Sequence, residues 1–168
     1  MALEYDLEIT PDIEPADLLD YFADLLHCDE RFHEPGHPPR AFRREVILTA
    51  LDWPPEDPSP LAELFDVSRT VSIGFRMNKH LNRRENRAVF RNMLVGSAQL
   101  LEDHPRMKAV FSRDEDDDIY LQRLGDEGIV LAAMLRDPYL NFEGVFDELL
   151  ARYPVRDLGR FSDLMPDD

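Results

Sequence analysis

The residues best able to ligate a metal or attack a substrate are five histidines and one cysteine, and four of these six fall together as His27-Cys28-x4-His33-x3-His37. Imidazole and thiolate are the usual zinc ligands, so the cluster raises the chemistry of a small metal-dependent hydrolase. Its spacing argues against that chemistry. Pro35 and Gly36 lie between His33 and His37 and forbid the helical i,i+4 pair of a helix-borne zinc site, and the adjacent His27 and Cys28 side chains diverge without a special turn. A Cys-His nucleophile needs a stabilised thiolate, whereas Asp24, Asp29 and Glu30 around Cys28 raise a thiol pKa. Loop histidines and a small apolar thiol are the expected reading, and no metal site is assigned.

A second cluster, Asp114-Glu115-Asp116-Asp117-Asp118, offers only oxygen ligands, which suit Mg²⁺ or Ca²⁺. It lacks the central glycine and the distal glutamate of an EF-hand loop, so a solvated hairpin tip is the simpler expectation. The sequence holds no Gly-x-Gly-x-x-Gly, no Walker lysine loop, no Gly-x-Ser-x-Gly elbow and no His-Glu-x-x-His. No catalytic residue and no cofactor are expected.

Charge sets the class of partner. Lys and Arg number 19 against 35 Asp and Glu, for a formal charge of −16. Binding to nucleic acid or to an anionic membrane requires cationic side chains to neutralise phosphate, so both are excluded as general partners. The same charge steers a basic partner toward the protein, and it also serves solubility. Residues 1–30 carry ten Asp or Glu and no Lys or Arg, while Arg83, Arg84, Arg87 and Arg91 share much of one helical face. Those arginines could meet an acidic partner, or pair with the acidic remainder of the chain, which is the preferred reading. A lone cysteine fits a reducing compartment. With neither a basic-then-apolar leader nor an apolar run of about 18 residues, the chain is expected in the cytoplasm.

These groups must be positioned by elements that the pattern of apolar residues predicts. Leu3, Tyr5, Leu7 and Ile9 alternate with Glu4, Asp6 and Glu8 as in a strand with one wet face. Pro15 opens a helix with Leu18, Leu19, Phe22, Leu25 and Leu26 inward and Asp17, Asp20 and Asp24 toward water. Residues 28–40 read as loop, Glu45–Leu51 and Thr70–Met77 as strands, and the prolines between Pro54 and Pro60 as a stiff connection. Asn82 and Glu85 have capping-box spacing before a helix with Val89, Phe90, Met93, Leu94, Ser97, Leu100 and Leu101 on one face. Three short strands follow, at 107–111, 118–124 and 129–135, and Phe142–Tyr153 reads as a closing helix. Connections such as Gly125–Gly128 are too short for a parallel crossover. The expectation is a single α+β domain over residues 1–168, an antiparallel or mixed β-sheet packed on one face by about three helices, with a loosely held tail from about residue 154.

The opening Met1-Ala-Leu-Glu-Tyr-Asp-Leu-Glu-Ile9, the strand Val71-Ser-Ile-Gly-Phe-Arg-Met-Asn-Lys79, the helical Arg91-Asn92-Met93-Leu94 and the hairpin from Met107 to Leu124 together resemble the SitI3 family. The resemblance implies a small bacterial immunity protein, the partner of a toxin passed between neighbouring cells. It brings no catalytic residues. The chain departs from the family pattern at the acidic Asp114–Asp118 tip, and at Arg136-Asp137-Pro138-Tyr139, where a tryptophan-bearing segment would be expected. The implied mechanism is stoichiometric binding of a cognate basic protein toxin, with Asp114, Glu115, Asp116, Asp117 and Asp118 as one contact region and the Asp17, Asp20, Asp24 face as a second. Against it stand a metal-dependent hydrolase using the His27–His37 loop and an acidic scaffold or regulatory module.

Overall fold

The computed structural model describes residues 3–165. Nine strands form one sheet: β1 (Leu3–Ile9), β2 (Glu30–Phe32), β3 (Arg40–Phe42), β4 (Val46–Trp53), β5 (Thr70–Met77), β6 (Ala109–Arg113), β7 (Ile119–Arg123), β8 (Val130–Ala132) and β9 (Val155–Arg156). Their order across the sheet is β2-β3-β4-β5-β1-β6-β7-β8-β9, which puts the first strand at the centre. Every pairing is antiparallel except β8 with β9. The parallel pair has the long crossover it needs, since residues 133–154 carry two short 3-10 turns and a helix between those strands. The α+β expectation is met by this mixed sheet and four helices.

The helices are α1 (Pro15–Leu25), α2 (Leu61–Leu64), α3 (Arg83–Asp103) and α4 (Asp147–Arg152). At the start of α3 the capping box forms as its spacing predicts: the Glu85 backbone N–H donates to Asn82 Oδ1 at 2.8 Å, and the Asn82 N–H to Glu85 Oε1 at 3.4 Å. Helices α1, α3 and α4 cover one face, where Tyr5, Leu7 and Ile9 of β1 meet Phe22, Phe90 and Phe146. Phe90 is the hub, with ring centroids 4.7 Å from Tyr5, 5.1 Å from Tyr120 and 5.5 Å from Phe146. Helices α1 and α3 approach closely at Gly96, whose carbonyl accepts the Tyr21 hydroxyl at 2.8 Å.

The single-face arrangement needs correction. On the opposite face, Val110, Ile119, Val130 and Ala132 form a second apolar cluster, covered by Leu61 and Phe65 at α2 and by Leu158. Strands β6 to β8 are therefore apolar on both sides, and both sides must be shielded from water. That requirement also fixes the tail. Residues beyond Pro154, expected to be loosely held, add β9 to the sheet edge, bury Leu158 and dock Phe161 and Leu164 against the second cluster; residues 166–168 of that tail lie outside the described residues.

Two further differences have local causes. Within the predicted 28–40 loop, β2 and β3 pair around a turn at Gly36, which has a φ of 81°, and extend the sheet beyond β4. The predicted helix from Phe142 is broken at Glu143 and Gly144, with φ of 56° and 71°. Asn141 holds the break: its Oδ1 accepts the Phe146 N–H at 2.7 Å while its Nδ2 donates to Asp147 Oδ1 at 2.7 Å.

Candidate partner-binding surface

The five-residue acidic tip joins β6 to β7 and is held in shape from several sides. A bulge between Phe111 and Ser112 re-aims the strand, and Asp117 turns the chain with a φ of 60°. The Arg113 N–H donates to the Asp118 carbonyl at 3.0 Å, and the Arg113 guanidinium reaches back to Glu115 at 2.7 Å and Asp116 at 3.4 Å. From the C-terminal segment, the Phe161 N–H donates to the Asp117 carbonyl at 2.6 Å, while Arg160 bridges Asp118. Asp114, Glu115 and Asp117 remain exposed, with Asp116 and Asp118 partly covered. The tip is thus a braced projection in which one arginine partly offsets two of its carboxylates.

Its charge does not end at the hairpin. The Asp114 N–H donates to the Glu4 carbonyl at 3.0 Å, linking the tip to the outward face of β1, where Glu4, Asp6 and Glu8 follow at two-residue intervals. Asp6 carries a carboxyl whose pKa is well above the usual range, because burial removes water while Glu8 and Asp114 repel added charge and no donor offsets them. Asp114 is raised by burial and then by Glu4 and Asp117. Glu8, only 4% exposed, is raised by burial despite accepting the Thr70 hydroxyl at 2.8 Å. Asp118 is raised by burial and by Asp116. A row of carboxyls therefore runs from the buried Glu8 through the half-buried Asp6 and the exposed Glu4 to the tip, and within it Glu4 pairs with Arg76 at 3.5 Å. Beside it lies a cleft of about 270 Å³ whose lining includes Glu4, Asp114, Thr49 and Gly74 together with Arg40 and Arg76.

Alternation in β1 predicts Glu4, Asp6 and Glu8 as the wet side of a strand; Glu4 is exposed, but Asp6 is half-buried and Glu8 is buried where it accepts the Thr70 hydroxyl, and nothing in the pattern joins them to the tip. Their juxtaposition depends on β6 pairing with β1 across about a hundred residues of chain, Tyr5 facing Arg113 and Asp6 facing Ser112. The other predicted surface stands apart. On α1, Asp17 and Asp24 are exposed as expected, yet Arg31 pairs with Asp20 at 3.3 Å and with Asp24 at 2.5 Å, lowering the net charge of that face. No hydrogen bond or ion pair among the described residues joins it to the tip.

The histidine loop does not converge. His33 pairs with Asp20 at 3.2 Å, His27 turns outward with a φ of 58°, and Cys28 is buried, its thiol raised chiefly by that burial. Among the described residues no group of three or more His, Cys, Asp or Glu could hold a metal ion. Of the four helical arginines, Arg84 pairs with Glu143 at 2.6 Å and Arg91 with Glu148 at 3.7 Å, the intramolecular use that the excess of acid favoured. Arg83 and Arg87 instead lie over the Tyr139 ring.

Among the described residues, no helix is long and apolar enough to cross a membrane. The SitI3-like family model matches residues 3–133, which takes in β1, the acidic tip and the strands between. No curated protein and no solved structure matches the chain.

Proposed function

This chain belongs to the SitI3-like family, and from that membership we propose that it is an immunity protein that neutralises a cationic protein toxin by binding it one to one. The observation that carries the reading is the braced tip continuous with Glu4, Asp6 and Glu8, a row of acids in which the Asp6, Glu8, Asp114 and Asp118 carboxyls are held above their usual pKa, chiefly by lost water. A surface in that condition is best relieved by a cation: a lysine or arginine arriving over the row favours the ionised forms, so association gains attraction and expels protons. The excess of 35 acidic over 19 basic residues adds long-range steering toward the same partner. A reducing interior, the cytoplasm of the cell to be protected, suits a protein whose one cysteine is buried and unpaired.

Calorimetric titration with the product of a toxin-like gene adjacent to its own tests the proposal. Binding is expected at one equivalent, with proton release revealed by a different apparent enthalpy in phosphate and in Tris. Reversing Asp116 and Asp117 to lysine is expected to weaken association by about tenfold or more, mainly through the on-rate. Unchanged affinity in that variant removes the tip from the interface.

A further inference from the structure

A cavity beside α3 is lined, among the described residues, by cationic side chains and by no acid. It encloses about 380 Å³ beside the first turn of α3 and is lined by Arg83, Arg87, Arg113, Asn86 and Tyr5, with Tyr139 at its side. Arg87 is only 8% exposed. One of its terminal nitrogens donates to Asn86 Oδ1 at 2.8 Å, but its Nε is buried with no partner. Arg113 Nε is likewise buried and unpartnered, its terminal nitrogens being turned to Glu115 and Asp116. Among the described residues, neither Arg83 nor Arg87 forms an ion pair, and both guanidinium carbons lie over the same Tyr139 ring, at 4.4 and 5.3 Å.

Bringing guanidinium groups of like charge together and stripping water from one of them is unfavourable unless an anion compensates. The chain has 35 acidic side chains to do so, and its other helical arginines, Arg84 and Arg91, each take one. Arg113 takes Glu115 and Asp116, but beside Arg83 and Arg87 the lining offers Leu3, Leu81 and Leu140 and, among the described residues, no carboxylate. Forked donors and apolar side chains in one lining together describe a receptor for an amphipathic anion.

We infer that this cavity binds a small organic carboxylate, held by Arg83 and Arg87 with its apolar part against Tyr139, Leu81 and Leu140. A planar carboxylate matches the guanidinium fork through two parallel hydrogen bonds. The leucine walls disfavour a fully hydrated inorganic anion, and the recessed position of Arg87 suits a free small molecule better than a flat protein surface. The aromatic face that stacks both arginines orders the donors before the ligand arrives.

Titration of the ¹⁵N-labelled full chain with benzoate at constant ionic strength tests this through the Arg Nε–Hε resonances, with inorganic phosphate as the comparison anion. Saturable shifts at Arg83 and Arg87 are expected with a dissociation constant of about 1 mM or below, and weaker binding of phosphate. Arg83→Gln, at an exposed position that folding tolerates, is expected to weaken benzoate binding about five- to tenfold while leaving the amide spectrum otherwise native. Arg87→Lys, which keeps the charge but loses the fork, is expected to weaken it comparably. Non-saturating shifts with benzoate, an unchanged titration in Arg83→Gln, or phosphate binding as tightly as benzoate each overturn the assignment. The free protein is the reagent throughout, so a negative result here leaves the toxin-binding proposal standing.

Discussion

Replacing Gly96 by alanine tests how tightly the helical layer is packed. A Cβ built at this position stands 2.3 Å from Leu25 Cδ2 and 3.0 Å from Phe22 Cε1. The half-buried Leu25 methyl can swing aside, but Phe22 is fully buried and edge-on to Phe75 at 5.1 Å and to Tyr21 at 5.0 Å, so its ring has nowhere to go. Helices α1 and α3 must then separate, stretching the Tyr21 hydroxyl bond to the Gly96 carbonyl, now 2.8 Å. Overpacking of this kind costs about 2–3 kcal/mol, and the better helix propensity of alanine returns about 1 kcal/mol. The net loss is about 1–2 kcal/mol, or roughly 3–6 °C in melting temperature for a chain of this size. Urea unfolding with an unchanged m-value measures it. In a Leu25→Ala background most of the Gly96→Ala penalty should persist, because Phe22 and not the mobile Leu25 methyl is the contact that cannot yield. A Gly96→Ala variant as stable as the parent, or more so, would show that the helices do not cross this closely and refute the packing argument.

Asn82→Ala removes one side of the capping box and should destabilise the protein by about 1 kcal/mol in the same urea assay, with α3 amides near Glu85 losing hydrogen-exchange protection first. Phe90→Ala empties the aromatic hub and should cost about 3–5 kcal/mol, read as a lower denaturation midpoint. The raised carboxyls of Asp6, Glu8, Asp114 and Asp118 give stability a definite sign with pH. Well below the ordinary carboxyl pKa of about 4, folded and unfolded chains both hold these protons; as pH rises the unfolded chain releases them first, and the folded state loses its advantage until its own pKa values are passed. Unfolding free energy should therefore fall as pH rises above the ordinary carboxyl range of about 4. Asp6→Asn should raise stability at pH 8 and flatten that fall, and a pH profile identical to the parent's would mean that Asp6 carries no such strain.

Short-range patterns wrote much of the fold plainly. The alternation in Leu3–Ile9 and Thr70–Met77, and the Asn82-x-x-Glu85 cap, are signals whose partners lie within a few residues. Strands β2 and β3 were illegible because three-residue strands carry almost no periodicity, and they exist by pairing outward from β4. The break at Glu143 and Gly144 depends on one asparagine side chain bonding in both directions, which no apolar count reveals. Tail packing was hidden because polar Asp157, Arg160, Ser162 and Asp163 surround the few residues, Leu158, Phe161 and Leu164, that reach the second cluster. At the candidate surface, the tip could be read as a run of five acids, whereas its union with Glu4, Asp6 and Glu8 is a product of sheet register. The partial neutralisation of Asp20 and Asp24 by Arg31 is likewise a contact that only the folded chain makes.

The central claim, that this protein acts by occupying a cationic partner and not by turning over a substrate, is tested most directly by titrating the activity of the neighbouring toxin-like gene product with the purified chain. The account predicts a linear loss of toxin activity ending at one equivalent, with the Asp116→Lys/Asp117→Lys variant needing a large excess. Inactivation of many equivalents of toxin by one of this protein, or protection unaltered by that double reversal, would contradict it.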